Sequence, residues 1–494
     1  MMSRSQPVRC RVDICIIEGD HHITGADMRL RPIGSGHSDL QILLGEPKAA
    51  VRSMFVPFLI AFAIVEVNQF VDTFWISGLG VSSASAISTV VPFYAMLMSA
   101  GVGISVGATT TIAFRLGKGD AEGASGLAAN SFYIAVILSV VGSVLLALIL
   151  DPALTLMGVD DIRSECWGYM LPMMVLSPAM ILLSVMGGTL RGEGAAGRST
   201  VLQISTAVFN IVLDPIMIYT LGLGIAGAGL ATGVAAVISL SIGASWYARK
   251  KTVLVLKKGR DFHPDRALMS EVFFVGGPKT ANEMIAGVMM FIQRIFFVVA
   301  GGVPAVMMYN YPWRFISLFS LPSKAFENSL VPVGSAANGQ ADAGKMWAAY
   351  TYCMKYSVAV ALVAAVAIYA FAEPLMSIMT YESSMHEMLP KLVWILQLSV
   401  VMLPFIALRG VGNSLLQSMK KARIPMYFDL IWGSVRMVLY ALSAYGFLGV
   451  DPFDGIIYTM VIVYSLSGVL INILAVWQFR EFKRSGKRPE TDIS

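Results

Sequence analysis

Charged residues, histidine and cysteine are all scarce in this chain, and each shortage excludes a class of protein. Charged residues make up 14% of the sequence, whereas soluble globular proteins contain about 25%. The four cysteines are scattered and have neither the spacing of a zinc site nor that of a disulfide framework. The five histidines form no Glu-x-x-His pattern within the apolar runs. We therefore expect no metal-dependent enzyme within the membrane and no catalytic site.

Long apolar runs are abundant instead. Hydrophobic residues make up 56% of the chain. They form about twelve runs near twenty residues long, the length at which a helix crosses a bilayer. Lysine and arginine lie in short clusters between these runs, which argues against a nucleic-acid-binding domain. The sequence therefore predicts an all-α polytopic membrane protein with about 12 transmembrane helices.

The first 47 residues differ from the rest because they are polar, turn-rich and mixed in charge. They lack a basic start followed by a long apolar core, so we do not expect a signal peptide. We expect a disordered cytoplasmic tail, or an over-extended gene start with Met28 or Met54 as the true one. The predicted organisation is an N-terminal tail (1–47), a first lobe of six spans (48–248), an inter-lobe loop (249–268), a second lobe of six spans (269–480) and a cytoplasmic C-terminal tail (481–494).

The charges of the loops indicate the orientation of the spans. Alternate connections carry cations such as Arg115, Arg191 and Lys421, whereas the others hold almost none, as at Gly301-Gly302. Loops rich in lysine and arginine stay on the cytoplasmic side of a membrane. Both termini are therefore predicted to be cytoplasmic, in a multi-pass protein of the plasma membrane.

An internal repeat relates the two halves of the chain. The segment 117–121 (Gly-Lys-Gly-Asp-Ala), after the second span, resembles the segment 339–343 (Gly-Gln-Ala-Asp-Ala), after the eighth. Because both halves have the same orientation, the repeat is parallel, with an axis along the membrane normal. We expect two six-helix lobes, related by pseudo-two-fold symmetry, that face each other across a central cavity.

Two carboxylates lie within apolar runs of the first lobe. Asp72 follows Asn68, and Asp214 follows Asn210, both at the i, i+4 spacing that places two side chains on one helical face. An ionised Asp at mid-bilayer costs roughly 3 kcal/mol on insertion scales, so it is retained with a partner, a cavity or a proton. We expect the two faces to meet, and the pair to bind a proton or, with the asparagine oxygens, Na⁺.

A proline accompanies each of these carboxylates. Pro57 precedes Asp72 in the first span and would let that span bend, and Pro215 directly follows Asp214 and would kink the fifth span. Pro215 also permits a structural interpretation of Asp214, in which a polar group helps to satisfy the backbone at the kink.

The second lobe carries different charges. Aligning the halves places Gln293 opposite Asp72, so the acidic pair belongs to the first lobe alone. Glu283 in the seventh span, and Lys324 and Glu327 in the eighth, are secondary candidates for the site. Lys324 and Glu327 are spaced i, i+3, so we expect them to neutralise each other. Asp429 and Arg436 in the eleventh span are a looser possible pair.

Three segments of the first lobe carry a family resemblance: 71–73 (Val-Asp-Thr) with 78–80 (Gly-Leu-Gly), 115–120 (Arg-Leu-Gly-Lys-Gly-Asp), and 190–192 (Leu-Arg-Gly) leading to Asn210 and Asp214. These segments resemble the multidrug and toxic compound extrusion (MATE) family, and in particular its DNA-damage-inducible and archaeal subgroup. The resemblance implies twelve helices in two lobes around a V-shaped cavity, with alternating access. It also implies a coupling site of Asp72, Asn210 and Asp214, with Asn68, Tyr169 and Thr232 in support, and a bend of the first helix at Pro57.

The function that this resemblance implies is export of amphipathic, often cationic, organic compounds in exchange for H⁺ or Na⁺. We expect no cofactor and no metal beyond Na⁺, small-molecule substrates and the lipid bilayer as partners, no nucleic acid, and a monomer. The alternative is a lipid-linked oligosaccharide flippase of the same superfamily, which would hold phosphates with cavity cations. The candidates for that role are Arg294, Arg314, Lys324 and Arg436.

Overall fold

The computed structural model describes residues 36–157, 159–256, 261, 263–379 and 387–485. Most of both predicted tails, residues 1–35 and 486–494, therefore lies outside the described residues. The described part is helical and contains no strand. Its helices are α1 (Gly36–Leu44), α2 (Pro47–Ser77), α3 (Val81–Gly117), α4 (Ala121–Leu156), α5 (Arg163–Gly192), α6 (Ala196–Pro215), α7 (Gly224–Ala248), α8 (Arg266–Phe319), α9 (Leu321–Gly339), α10 (Ala343–Ala370), α11 (Ala372–Met379), α12 (Leu389–Ser399), α13 (Leu403–Ser418), α14 (Arg423–Ala444) and α15 (Pro452–Ser485).

These helices make twelve passages, which agrees with the predicted all-α membrane fold. Helices α2 to α7 form the six passages of the first lobe. The second lobe consists of the two halves of α8 (the later one extended by α9), α10, α12 with α13, α14 and α15. Ten of the described helices are long and apolar enough to cross a membrane. The other two passages contain charged residues: Arg314, Lys324 and Glu327 in α8 and α9, and Asp429 and Arg436 in α14.

The two passages within α8 are joined by a glycine pair without a loop. Gly301 has φ −149° and ψ 16°, and Gly302 has φ 71°. A positive φ is sterically unfavourable for most residues and is freely available to glycine. The backbone therefore leaves the helical conformation for only two residues between one passage and the next.

The turns after the second and the eighth passage are built alike. The Asp120 side chain caps α4 by accepting a hydrogen bond from the Gly123 amide at 2.7 Å, and Asp342 caps α10 through the Lys345 amide at 2.9 Å. The residue before each cap has a positive φ, 81° before Asp120 and 57° before Asp342. The two turns therefore have the same cap and the same backbone conformation at positions that the sequence repeat aligns. This similarity supports the parallel duplication.

Glycines allow the two lobes to pack backbone against backbone. A methyl group added at Gly107 of α3 would lie 2.6 Å from the carbonyl oxygen of Val272 in α8. One added at Gly117 would overlap the carbonyl oxygen of Ala336 in α9. Small residues of this kind let helices approach closely within a membrane. The lobes are therefore in tight contact along α3.

Ion pairs reinforce this contact where α3 ends. Arg115 of the first lobe donates to Glu271 of the second lobe at 2.6 Å, and Lys420 donates to the same carboxylate at 2.9 Å. Arg115 also pairs with Asp120 at 2.8 Å. These side chains are only partly exposed, so the network is screened less by water than a surface pair. We call this region, with Gly117 at its edge, the closed end of the molecule.

Ser105 in α3 lies in a segment, 103–107, with the Gly-x-Ser-x-Gly spacing of many serine hydrolases. That motif functions on a turn between a strand and a helix, whereas here it lies inside a long helix. The Ser105 hydroxyl donates to the Ser184 carbonyl at 2.7 Å and accepts from Arg191 at 2.7 Å. The serine therefore contributes to helix packing.

Helix α1 lies within the predicted N-terminal tail and contacts both lobes at the closed end. Gln340 and Lys345 of the second lobe both donate to the Leu44 carbonyl at 3.1 Å. The Asp39 carbonyl packs closely against Gly194 of the first lobe. The described part of this tail is thus a helix that is packed on the rest of the fold.

Candidate ion-binding site

Asn68 and Asp72 on α2 meet Asn210 and Asp214 on α6. The Asn68 amide donates to Asp72 Oδ2 and to Asn210 Oδ1, both at 2.9 Å. The Asn210 amide in turn donates to Asp214 Oδ1 at 3.1 Å and to the Thr232 hydroxyl of α7 at 3.4 Å. A continuous chain of hydrogen bonds therefore connects three helices of the first lobe, and we call these five residues the acidic cluster.

The two carboxyl groups of the acidic cluster differ in exposure, because Asp214 is buried and Asp72 is only partly buried. Asn210 and Asp214 are 2% and 3% exposed. The Asp72 and Asp214 carboxyl groups lie close enough to interact electrostatically. Oδ1 of Asn68 and Oδ1 of Asp72 are buried without a hydrogen-bond donor. The cluster thus offers several hard oxygen ligands, which suit a proton or Na⁺.

Two tyrosines lie beside the acidic cluster. Tyr169 of α5 is 9% exposed and interacts electrostatically with both carboxyl groups. Tyr94 of α3 lies near Asp72. Tyr169 is a predicted member of the site, whereas Tyr94 is an addition from the structure. No spacing to another polar residue marks Tyr94 in the sequence, because its neighbours in the site come from other helices.

A family model matches both lobes of the chain. The MatE model aligns with residues 57–216 and 280–442. The first block contains every residue of the acidic cluster except Thr232. The chain belongs to the MatE family. MatE proteins are transporters and not enzymes, as the sequence predicts for this chain.

Curated relatives and solved structures agree with this MatE assignment. The multidrug export protein MepA of Staphylococcus saprophyticus is 23% identical over 455 residues, which cover 90% of this chain and 97% of MepA. The FAD transporter of Shewanella oneidensis is 25% identical over 358 residues, 70% of this chain and 78% of that protein. A solved MOP superfamily transporter of Pyrococcus furiosus, described as having a binding pocket of reverse polarity, is 26% identical with a TM-score of 0.84, and the match covers 90% of this chain and 98% of that one. The fold is therefore the two-lobed, twelve-helix fold of solved MATE transporters.

The predicted ion pair between Lys324 and Glu327 is not formed in this MatE protein. Among the described residues, no lysine or arginine lies within 4.0 Å of the Glu327 carboxylate, and one of its oxygens is buried without a partner. The carboxyl group packs directly on Gly410 of α13, which keeps it apart from Lys324. Glu283, the other secondary candidate, pairs with Lys279 at 2.6 Å. Neither glutamate contacts the acidic cluster.

The predicted pairing of Asp429 with Arg436 is also wrong. Asp429 binds Arg409 of α13 and accepts a hydrogen bond from Asn282 of α8 at 2.9 Å. Both partners come from neighbouring helices, whereas Arg436 lies two turns further along α14. Contacts with neighbouring helices, and not the spacing along α14, therefore determine which residues bind Asp429.

The two prolines have different local effects. Helix α2 continues through Pro57 without a break, and the Thr200 hydroxyl of α6 donates to the Pro57 carbonyl at 2.9 Å. Pro215 ends α6 and is followed by a π-helical turn, Ile216–Thr220. The predicted irregularity is therefore found directly after Asp214, whereas the bend at Pro57 stays a prediction.

We expect Asn210→Ala to destabilise the protein far more than Thr232→Val. Asn210 bonds three side chains of the acidic cluster, Asn68, Asp214 and Thr232. Leaving buried partners unpaired costs about 1–3 kcal/mol, whereas Thr232→Val removes the 3.4 Å contact and a hydrogen bond to the Ala228 carbonyl of its own helix. Thermal unfolding of both variants in detergent measures the difference. Equal melting temperatures would contradict the bridging role of Asn210.

Glu193 is a buried carboxylate outside the spans, in the connection between α5 and α6. It is fully buried and accepts hydrogen bonds from the Val253 and Leu254 amides of the inter-lobe loop at 3.0 and 3.1 Å. Arg198 lies 3.9 Å from its other oxygen. Burial nevertheless raises the pKa of Glu193 to about 7. This side chain therefore connects the loop to the first lobe and titrates near neutral pH.

The raised pKa of Glu193 predicts a pH-dependent stability. The ordinary pKa of a glutamate is 4.5, and that of folded Glu193 is about 7. Between these two pH values, the folded protein holds a proton that the unfolded chain releases. Stability therefore falls as the pH rises through this window, by about 3 kcal/mol in all, and is level above it. The groups facing Glu193 are Asp39 of α1, Arg198 of α6 and Tyr247 of α7. Glu193→Gln keeps an acceptor for the loop amides, so we expect it to flatten the melting temperature between about pH 5 and about pH 8. An unchanged decline in this variant would exclude Glu193 as its source.

Proposed function

We propose that this MatE protein exports amphipathic, often cationic, small molecules in exchange for H⁺ or Na⁺. The observation that carries the proposal is the pair of neighbouring carboxylates, half-buried Asp72 and buried Asp214, joined through Asn68 and Asn210. Within the described residues, neither carboxylate has a lysine or arginine as an ion-pair partner. The MepA relatives, which are multidrug export proteins, support the export of small molecules.

The proposed coupling follows from the electrostatics of the acidic cluster. Two ionised carboxylates this close repel each other where burial limits screening by water, so the cluster favours a bound proton or cation. An ion taken up from one side of the membrane and released to the other can drive a substrate in the opposite direction, provided that access to the site alternates. In two-lobed transporters, such alternation arises when the lobes rock against each other.

The closed end is the proposed switching element. Opening a path on that side requires that the ion pair of Arg115 with Glu271 breaks and that α3 separates from α8. We further propose that the closed end faces the cytoplasm, because loops rich in lysine and arginine stay on that side. Both termini would then be cytoplasmic, in the plasma membrane. One chain supplies the whole acidic cluster, which supports a monomer as the working unit.

The test is ethidium efflux by the wild-type protein in proteoliposomes, with a pH gradient and a Na⁺ gradient imposed one at a time. Efflux under the pH gradient alone identifies H⁺ as the coupling ion, and efflux under the Na⁺ gradient alone identifies Na⁺. An ionophore that collapses the gradient should stop the efflux. Protein-dependent efflux that is independent of both gradients, or no efflux at all, would overturn the proposal.

A further inference from the structure

The second lobe has an arginine–aromatic cluster on α14 and α15, which correspond to α6 and α7 of the acidic cluster, and on the second half of α8. It consists of Arg436 and Tyr440 on α14, Tyr464 on α15, and Tyr309 and Trp313 on α8. The Arg436 guanidinium lies 4.8 Å from the Tyr464 ring centroid and 5.9 Å from that of Tyr440. Tyr309 and Trp313 stack at 5.5 Å, and Trp313 is 6.2 Å from Tyr464.

Arg436 is surrounded by aromatic side chains and lacks a carboxylate partner within the part of the chain that the structure describes. Among the described residues, no carboxylate lies within 4.0 Å of its guanidinium, and Asp429 on the same helix is bound by Arg409. Arg436 Nε and the Tyr440 hydroxyl are both buried without a hydrogen-bond partner. A cation in a membrane span is costly and marks a functional site by default. Its cation–π contacts replace only part of the lost hydration.

The side chains around Arg436 indicate the chemistry of a ligand. A guanidinium presents planar donors that match a carboxylate or phosphate, and aromatic side chains stack against planar rings. Tyr440 is fully buried, whereas Trp313, Tyr309 and Tyr464 are partly exposed and can be reached. We propose that this cluster is a subsite for organic anions with a planar aromatic ring, the anionic group on Arg436 and the ring against Trp313 and Tyr464.

This inference rests on the proposed export function, because it makes an anionic compound part of the cargo. The two clusters offer opposite charges, carboxylates in the acidic cluster and, in the arginine–aromatic cluster, a guanidinium without a carboxylate partner among the described residues. An anion held on the second lobe leaves Asp72 and Asp214 available to the coupling ion. A purely structural arginine would not distinguish the neutral and anionic forms of one ring, and this difference defines the experiment.

Flavin mononucleotide and riboflavin are matched probes, since they share one ring and differ by a phosphate. Binding of each to the purified protein in phosphatidylcholine nanodiscs is measured by flavin fluorescence. We expect wild type to bind the mononucleotide at least about tenfold more tightly, the size of a hydrogen bond to a charged group. Arg436→Gln should abolish this preference, and a thermal unfolding curve close to that of wild type shows that the variant is folded. Arg436→Lys should retain part of the preference.

The control is Arg423→Gln on the same helix. Arg423 packs on the Phe274 ring at 4.5 Å, and the control variant should keep the full preference for the mononucleotide.

Equal affinity for the two flavins in wild type, a failure of the mononucleotide to bind, or a preference that survives Arg436→Gln would each overturn the subsite. Repeating the titration with phosphatidylglycerol in the nanodiscs separates substrate from lipid. Loss of the phosphate preference there in wild type would assign Arg436 to a lipid headgroup and overturn its assignment to cargo. Ethidium efflux is measured on the same preparations. Failure of efflux with an intact flavin preference would count against the coupled-export proposal alone.

Discussion

Asp214→Asn is expected to abolish gradient-driven efflux and to leave the fold intact. Asn is nearly isosteric with Asp and can still bond the Asn210 amide through its oxygen. Asn can neither release a proton nor supply the negative charge that holds Na⁺. The coupling ion therefore can no longer bind on one side of the membrane and dissociate on the other. Efflux from proteoliposomes under the effective gradient should fall to the level of empty liposomes, with a melting temperature close to that of wild type. Asp72→Asn should have the same effect.

The comparison variant for this prediction is Glu283→Gln. It removes one carboxylate from the second lobe in the same way, but Glu283 is already paired with Lys279 and does not contact the acidic cluster. Efflux by Glu283→Gln should therefore remain coupled to the gradient. Full coupling in both aspartate variants, or its loss in Glu283→Gln alone, would move the ion site out of the first lobe.

Gly107→Ala is expected to shift the protein away from the conformation with a closed end. The new methyl group would lie 2.6 Å from the Val272 carbonyl oxygen and 3.0 Å from the Gly276 α-carbon. These are backbone atoms, so α3 and α8 must separate to make room. Overpacking of this kind costs about 1–3 kcal/mol. A cost of about 2 kcal/mol changes the ratio of closed to open molecules roughly thirtyfold.

Spin labels on cysteines at Lys118 of the first lobe and Gly344 of the second can measure this shift as a population of longer distances. The matched control is Gly287→Ala in α8, the same substitution at a position with no atom within 4 Å of the new methyl group. In Gly287→Ala, the only expected effect is the gain in helix propensity from glycine to alanine, about 1 kcal/mol. Identical distance distributions for the two variants would show that Gly107 does not limit the approach of the lobes.

Apolar length and local spacing predict much of this fold. Runs of about twenty apolar residues locate the spans, and the repeated Gly-x-x-Asp turns relate the halves. The i, i+4 spacing of Asn68 with Asp72, and of Asn210 with Asp214, correctly places each pair on one face. These features depend on neighbours within a single helix, so the sequence alone contains them. The coupling role of the pair stays a prediction.

Contacts between helices are harder to predict from the sequence. Glu327 is three residues from Lys324, but it packs on Gly410 instead. Asp429 is bound by Arg409 and Asn282, both from other helices. Each charge has several partners within reach along its own helix, and the choice depends on which side chain or backbone of a neighbouring helix comes closest. Helix α1 is missed for a similar reason, since a nine-residue segment of mixed polarity is stabilised mainly by what it packs against.

The glycine pair at 301–302 has a mechanical consequence. A long flexible loop would absorb torsion, but two residues between helical halves leave little slack. The first half of α8 carries Glu271 at the closed end, and the second half carries Trp313. When the first half rotates, the second half must therefore rotate with it. One crosslink on either half should immobilise both, and lengthening the joint with a few flexible residues should uncouple them.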